Sequence, residues 1–248
     1  MLALKQALSL GSGKVGSGTP PPPPFVNTKS LAYDGVDDYM LIASGFKLGA
    51  TTSSSAIWFK YNSQANTMFV SPVAPFNNFY YWIANNYMRI YHPLYGTQTS
   101  TTAWNIPNPN DWHHLVVTYD QAASEMKFYG DGVLKDTKSV AVPVHSGYSD
   151  VYVGRWSSSA WAIMQGNTDE MGNWSNVLTA AEVTEIYNNG TPMSLDADSG
   201  NYVSSSSLNG YWRFGDNDIY PTIQDRSGEG NNGTMINMDA GDIVTDVP

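Results

Sequence analysis

The chain has 248 residues, 14% charged and 42% hydrophobic, a size that suits one large all-β domain or two small ones. It has no cysteine, which excludes a disulfide scaffold, a thiolate zinc site and a cysteine nucleophile; no apolar run reaches the roughly 18 residues of a membrane-crossing helix. Its 12 basic and 22 acidic residues leave a formal net charge of −10, the wrong sign for coating nucleic acid.

Charge is spread unevenly. Residues 1–33 carry Lys5, Lys14 and Lys29 and no acid, whereas residues 191–248 carry nine acids against Arg213 and Arg226. Residues 1–25 read as an arm. Leu2, Leu4, Leu8 and Leu10 make a short apolar start without a signal-peptide core. Gly11 to Gly18 has the composition of a flexible linker. Pro20 to Pro24 should form a stiff polyproline II rod of about 15 Å.

From Val26 the pattern is one of short strands. Ala56–Tyr61, Met68–Val70, Asn78–Trp82, Tyr87–Tyr91 and His113–Tyr119 are rich in aromatic and β-branched residues. Glu125–Tyr129 and Val133–Lys138 flank Gly130-Asp131-Gly132, a hairpin turn. Val151–Val153 follows. Recurrence at roughly ten-residue spacing predicts an antiparallel sandwich or jelly roll. One helix is marked. Thr179 and Glu182 form a capping box, Leu178 and Val183 a hydrophobic staple, and Val183, Ile186 and Tyr187 one apolar face. Asn188-Asn189-Gly190 closes it. Residues 191–248 add predicted strands at Gly210–Phe214 and Thr234–Met238, too few to fold alone. They belong to the sandwich of residues 26–190 or reach a neighbouring subunit.

Four segments in order resemble the laminin-G-like jelly roll of the concanavalin A-like lectin/glucanase superfamily. They are Ser30–Met40, Trp112–Asp120, Lys127–Leu134, and Gly166–Met171 followed by Asn176–Val183. The resemblance covers about residues 30–190. It implies an all-β, concanavalin A-like antiparallel sandwich with one short helix and an extended N-terminal arm. It also reads Ser30–Met40 as the family's opening strand. The segment Gly210–Phe214 with Asp225–Thr234 looks like the family's usual beginning, displaced to the C-terminus; circular permutation or strand swapping would explain it. The whole arrangement is similar to lectin-fold structural proteins of marine bacteriophage virions.

Candidate chemistry is sparse. The spaced carboxylates of the superfamily's glucanases are absent, and Asp169 and Glu170 are adjacent, so a regular strand would point them to opposite faces. No enzyme is expected. His113 and His114 are adjacent strand residues, one facing inward and one outward, and read as packing. The resemblance implies a structural Ca2+ joining the opening and closing strands, with Asp34, Asp37 and Asp169 as ligands and Asp38 beside them; carboxylate oxygens suit that ion. For sugar binding the strongest segment is Arg155–Trp161, with Arg155, Trp156 and Trp161 around a small polar loop. Tyr81 in the Asn77–Trp82 stretch and Trp104 come next.

The expected function is a bacteriophage virion structural protein, a capsid decoration or head or tail accessory, made in the host cytoplasm. Residues 1–25 would anchor it to the major capsid protein or another virion protein, and a symmetric homo-oligomer such as a trimer would supply avidity. The alternative is an extracellular carbohydrate-binding module, a receptor binder or secreted lectin recognising a host surface glycan. Nucleic acid and membrane partners are not expected.

Overall fold

The computed structural model describes residues 25–43, 52–62, 67–72, 80–85, 87–92, 96–99, 104, 106, 108, 110–139, 150–156 and 162–248. Residues 1–24 of the arm and Trp161 lie outside the described residues. Two antiparallel sheets form a sandwich. The first runs β10 (Val133–Ser139), β9 (Glu125–Gly130), β8 (His113–Asp120), β3 (Thr52–Tyr61), β12 (Gln165–Trp174), β1 (Ser30–Asp34) and β16 (Ile243–Val244), and β13 (Leu208–Trp212) also pairs with β12. The second runs β14 (Thr222–Ile223), β15 (Gly233–Ile236), β2 (Tyr39–Ile42), β11 (Val151–Val153), β4 (Thr67–Pro72), β5 (Tyr80–Ala84), β6 (Tyr87–His92) and β7 (Gly96–Thr99).

Period-two alternation makes the core. Leu31, Ile57, Phe59, Leu115, Val117 and Met171 face inward from the first sheet; Met40, Ile42, Tyr81, Ile83, Ile90 and Val153 meet them from the second. Burying each such side chain contributes roughly 1.5–3 kcal/mol.

The expected single strand Ser30–Met40 is two strands in different sheets. Asp34, Gly35 and Asp38 turn the corner. Asp34 Oδ1 accepts from the Val36 amide at 2.7 Å, Asp38 Oδ2 accepts from the Asp34 amide at 2.9 Å, and Gly35 adopts φ +80°. The C-terminal strands join both layers within the chain: β13 pairs with β12, β15 with β2, and β16 with β1.

The outer face of the first sheet is covered. Helix α1 (Ala180–Tyr187) is the single α-helix among the described residues. Its capping box is formed: Glu182 N donates to Thr179 Oγ1 at 3.2 Å and Thr179 N to Glu182 Oε2 at 2.9 Å. Asn188 ends it in the left-handed region. Leu178, Val183 and Ile186 bury against Ala56, Val116, Trp174 and Tyr211. His114 points outward from its sheet but is buried there, stacked on Trp58 and Tyr187. Burial pushes its imidazole down to about 3, so it is neutral. His113, on the inward side, bonds Asp131 Oδ2 at 3.0 Å and the Asn108 carbonyl at 3.2 Å.

Candidate functional site

The outer face of the second sheet is where rings and cations stay half-exposed. Met40 and Ile42 face the core, so Tyr39 and Leu41 face out; Val151 and Val153 face the core, so Tyr152 faces out. Met88 and Ile90 likewise send Arg89 outward, directly across from Trp82 in the β5–β6 register.

After β11, Arg155 and Trp156 lie against this face. Gly154 makes the bend at φ +94°, and a Cβ there would lie 2.5 Å from the Tyr33 ring, so the chain needs glycine. The Gly154 amide donates to the Phe69 carbonyl at 3.2 Å, and the Met164 amide donates to the Gly154 carbonyl at 2.7 Å. Ser71 Oγ donates to the Arg155 carbonyl at 2.8 Å.

Arg155 then sits over two tyrosines. Its Cζ is 4.8 Å from the Tyr39 ring centroid and 6.0 Å from that of Tyr152; the rings meet edge-on at 4.9 Å. Each cation–ring contact contributes about 0.5–1 kcal/mol at a partly wet site. Burial, and then Tyr152, raise the Tyr39 phenol above its usual range. Beside this pair, half-buried Trp156 packs on Trp82, Ala84 and Ala162. A stacked guanidinium keeps in-plane N–H donors for a ligand, and a half-buried indole offers an apolar surface to a sugar ring.

Of the residues read from the sequence, Arg155 and Trp156 lie together on this face. Trp161 falls outside the described residues. Tyr81 faces the core at 1% exposure, its hydroxyl paired with Ser55 Oγ at 2.6 Å, so its ring cannot stack a sugar. Trp104 is also buried, against Phe59. Sequence reasoning missed Tyr39, Tyr152 and Arg89. The signal was present, since a Val-Tyr-Val strand with core valines must show its tyrosine to the other side.

The three expected calcium ligands are not brought together. Asp34, Asp37 and Asp38 cluster in the β1–β2 turn, with carboxylate oxygens within 4.8 Å of one another. Asp169 is not among them. In the β1–β12 register Asp34 pairs with Gln165, four positions from Asp169. The turn cluster fits a hard cation by chemistry: no ion pair among the described residues reaches these acids. Burial and the neighbouring Asp34 push the Asp38 carboxyl up to about 6. Asp34 Oδ1 and Asp38 Oδ2 are already engaged by turn amides, which leaves one oxygen on each, with the Asp37 carboxylate.

Asp169 and Glu170 depart from strand alternation. A register shift separates Asp169 from Gly172, and Glu170 takes φ 43°. The bulge brings both acids into one network with Asp216 on the covered face. Glu170 Oε1 accepts from Arg213 Nε at 2.9 Å, and its Oε2 accepts from the Tyr211 hydroxyl. Asp169 Oδ2 accepts from Asn27 Nδ2 at 2.8 Å, and Asp216 Oδ2 from an Arg213 amine at 3.0 Å. Phe25, read from the sequence as the end of the arm, has its ring 4.4 Å from the Arg213 guanidinium. Burial raises Asp169 well above the usual carboxylate range, reinforced by Glu170, and raises Glu170 to about 7 against the opposing effect of Arg213. Both acids are at most 2% exposed and roofed by residues 25–28, so no substrate reaches them. They form a structural clamp.

Solved structures share the fold. A structure titled as a candidate carbohydrate-binding protein from Bacteroides ovatus superposes with a TM-score of 0.61 at 16% identity, over 86% of this chain and 59% of that one. The chain thus spans about three fifths of that protein's length. A heptameric SAP-like pentraxin from Limulus polyphemus gives 0.57 at 11% identity, over 84% and 94%. Domain 4 of an extracellular arabinanase from Geobacillus stearothermophilus, in complex with arabinotriose, gives 0.51 at 21% identity, over 64% and 76%. No curated protein sequence matches. The sequence family that matches, over residues 34–184, is described as the concanavalin A-like lectin/glucanases superfamily, and this chain belongs to it.

Proposed function

We propose that this chain is a glycan-binding module that works by adhesion, with no chemical step. One observation carries the reading: the Arg155 guanidinium rests on Tyr39 beside half-buried Trp156, on the sheet face that α1 leaves uncovered. Sugar recognition needs this pairing of an apolar plane with fixed in-plane donors. The Bacteroides ovatus and Geobacillus stearothermophilus structures support it, one titled as a candidate carbohydrate binder and the other containing arabinotriose. The buried state of Asp169 and Glu170 argues against hydrolysis. A glycan array tests the reading: binding is expected, and Trp156→Ala should weaken it at least tenfold, by more than its loss of melting temperature accounts for. An array with no positive glycan contradicts it.

A second reading concerns display. The clamp of Arg213, Asp169 and Asp216 on residues 25–28 fixes where the Gly/Pro-rich arm leaves the sandwich. This supports a tethered role, with residues 1–25 binding a capsid or other virion protein and a homo-oligomer such as a trimer presenting several glycan sites. Deleting residues 1–24 should then abolish particle incorporation and leave the melting temperature unchanged. Normal incorporation of that truncation defeats the tether. Calcium belongs to the same proposal: Asp34, Asp37 and Asp38 would hold it, and its part would be to neutralise the turn between the two sheets.

A further inference from the structure

The chain has four arginines, and the structure divides them in two. Arg213 is paired with Glu170 and Asp216, and Arg226 with Asp218, as a surplus of acids makes easy. Arg89 and Arg155 have no carboxylate partner among the described residues. Among the described residues Arg155 makes one long side-chain bond, 3.4 Å from Nε to the Trp156 carbonyl. Arg89 has a buried Nε with no hydrogen-bond partner among the described residues. In a protein of net charge −10, both guanidinium groups without a carboxylate partner among the described residues occupy the outer face of the second sheet.

Their spacing is set by the register. Met40 pairs with Val153, which brings Tyr39, under Arg155, level with Gly154; Trp82 pairs with Met68 on one side and Arg89 on the other. Arg155 sits over β2, and Arg89 stands on β6, four strand spacings away, about 19 Å. Trp156 and Trp82 lie between them. That is the length of a short oligosaccharide with a charge-seeking contact at each end.

We propose that this face selects a carboxylate-bearing glycan, a uronate polymer, with Arg89 and Arg155 each receiving a carboxylate. The inference rests on the glycan-binding reading and narrows it. Guanidinium geometry favours the carboxylate, since its planar fork donates two parallel bonds to two coplanar oxygens. Net acidity elsewhere repels the polymer from other faces and leaves this one as its docking surface.

Affinity electrophoresis of the full chain tests it, with polygalacturonate in one gel, fully methyl-esterified polygalacturonate in a second, and a sulfated galactan in a third. Retardation by polygalacturonate alone, relieved by raised salt, is expected. Arg89→Gln and Arg155→Gln should each reduce it by about tenfold or more, the loss of one charge-assisted bond pair. Arg→Lys at either site should restore part of the binding, because charge returns without the fork. Melting temperatures identify any variant that fails to fold, and Arg155, being half-exposed, supplies the second variant. Binding to the esterified polymer at equal strength overturns the carboxylate assignment while leaving a neutral-glycan reading standing. Retardation only by the sulfated gel also overturns it. Failure on all three gels together with a blank glycan array removes both.

Discussion

Arg213 donates through Nε to Glu170 Oε1 at 2.9 Å and through Nη2 to the Val26 carbonyl at 2.7 Å, so one guanidinium joins β12 to the root of the N-terminal arm. Glu170 is 1% exposed at its side chain and Arg213 14%. Removing the cation alone leaves Glu170 and Asp216 buried without a counter-charge. Arg213→Met should therefore cost about 3 kcal/mol or more in urea unfolding. Adding Glu170→Gln should recover part of that loss, because the stranded charge is then gone.

The same acids set a pH dependence. Glu170 is raised from 4.5 to about 7, Asp38 from 3.8 to about 6, and Asp169 is raised as well, burial being the leading cause in each. Across the window from about pH 4.5 to 7 these three carboxyls hold protons in the folded state that the unfolded state has lost; they outweigh His114, lowered to about 3 and acting in the opposite sense, so stability falls as pH rises through it. The melting temperature should be higher near pH 5 than at pH 8. Glu170→Gln should flatten that slope; a profile that rises steadily from pH 5 to 8 contradicts it.

Gly154 bends the chain into Arg155 and Trp156, the proposed glycan contacts. Its φ of +94° disfavours any side chain, and a Cβ would press to 2.5 Å from Tyr33. Gly154→Ala should cost about 1–3 kcal/mol. It should also weaken glycan binding by more than its stability loss accounts for, since Arg155 and Trp156 follow directly. Thermal melts and array signals from the same preparation separate the two effects.

Calcium should act at the β1–β2 turn. Isothermal titration should give heat that Asp37→Asn abolishes and Asp169→Asn leaves intact, because Asp169 sits in the Arg213 clamp instead. Absence of heat, with no effect of EDTA on melting, contradicts calcium binding.

Much of the architecture was legible in the sequence because alternation and turn chemistry are local. The β9–β10 hairpin around Asp131-Gly132 and the Thr179–Glu182 capping box were both readable from a few residues. The corner at Asp34–Asp38 was not, because a single extended strand and two strands in different sheets share one alternating pattern across it. Asp169 and Glu170 were misplaced for a related reason. A bulge with a left-handed glutamate is stabilised by Arg213 and Tyr211, some forty residues away, and leaves no local mark. At the candidate site, Arg155 and Trp156 stood out by composition, whereas the burial of Tyr81 depends on which parity of β5 faces the core.

The most direct measurement is a crystal structure of the chain with a bound oligosaccharide. The sugar should lie on the outer face of the second sheet, with a ring against Trp156 and polar groups on the free edge of the Arg155 guanidinium over Tyr39. Density for the sugar on the opposite sheet, beside α1, would contradict the account.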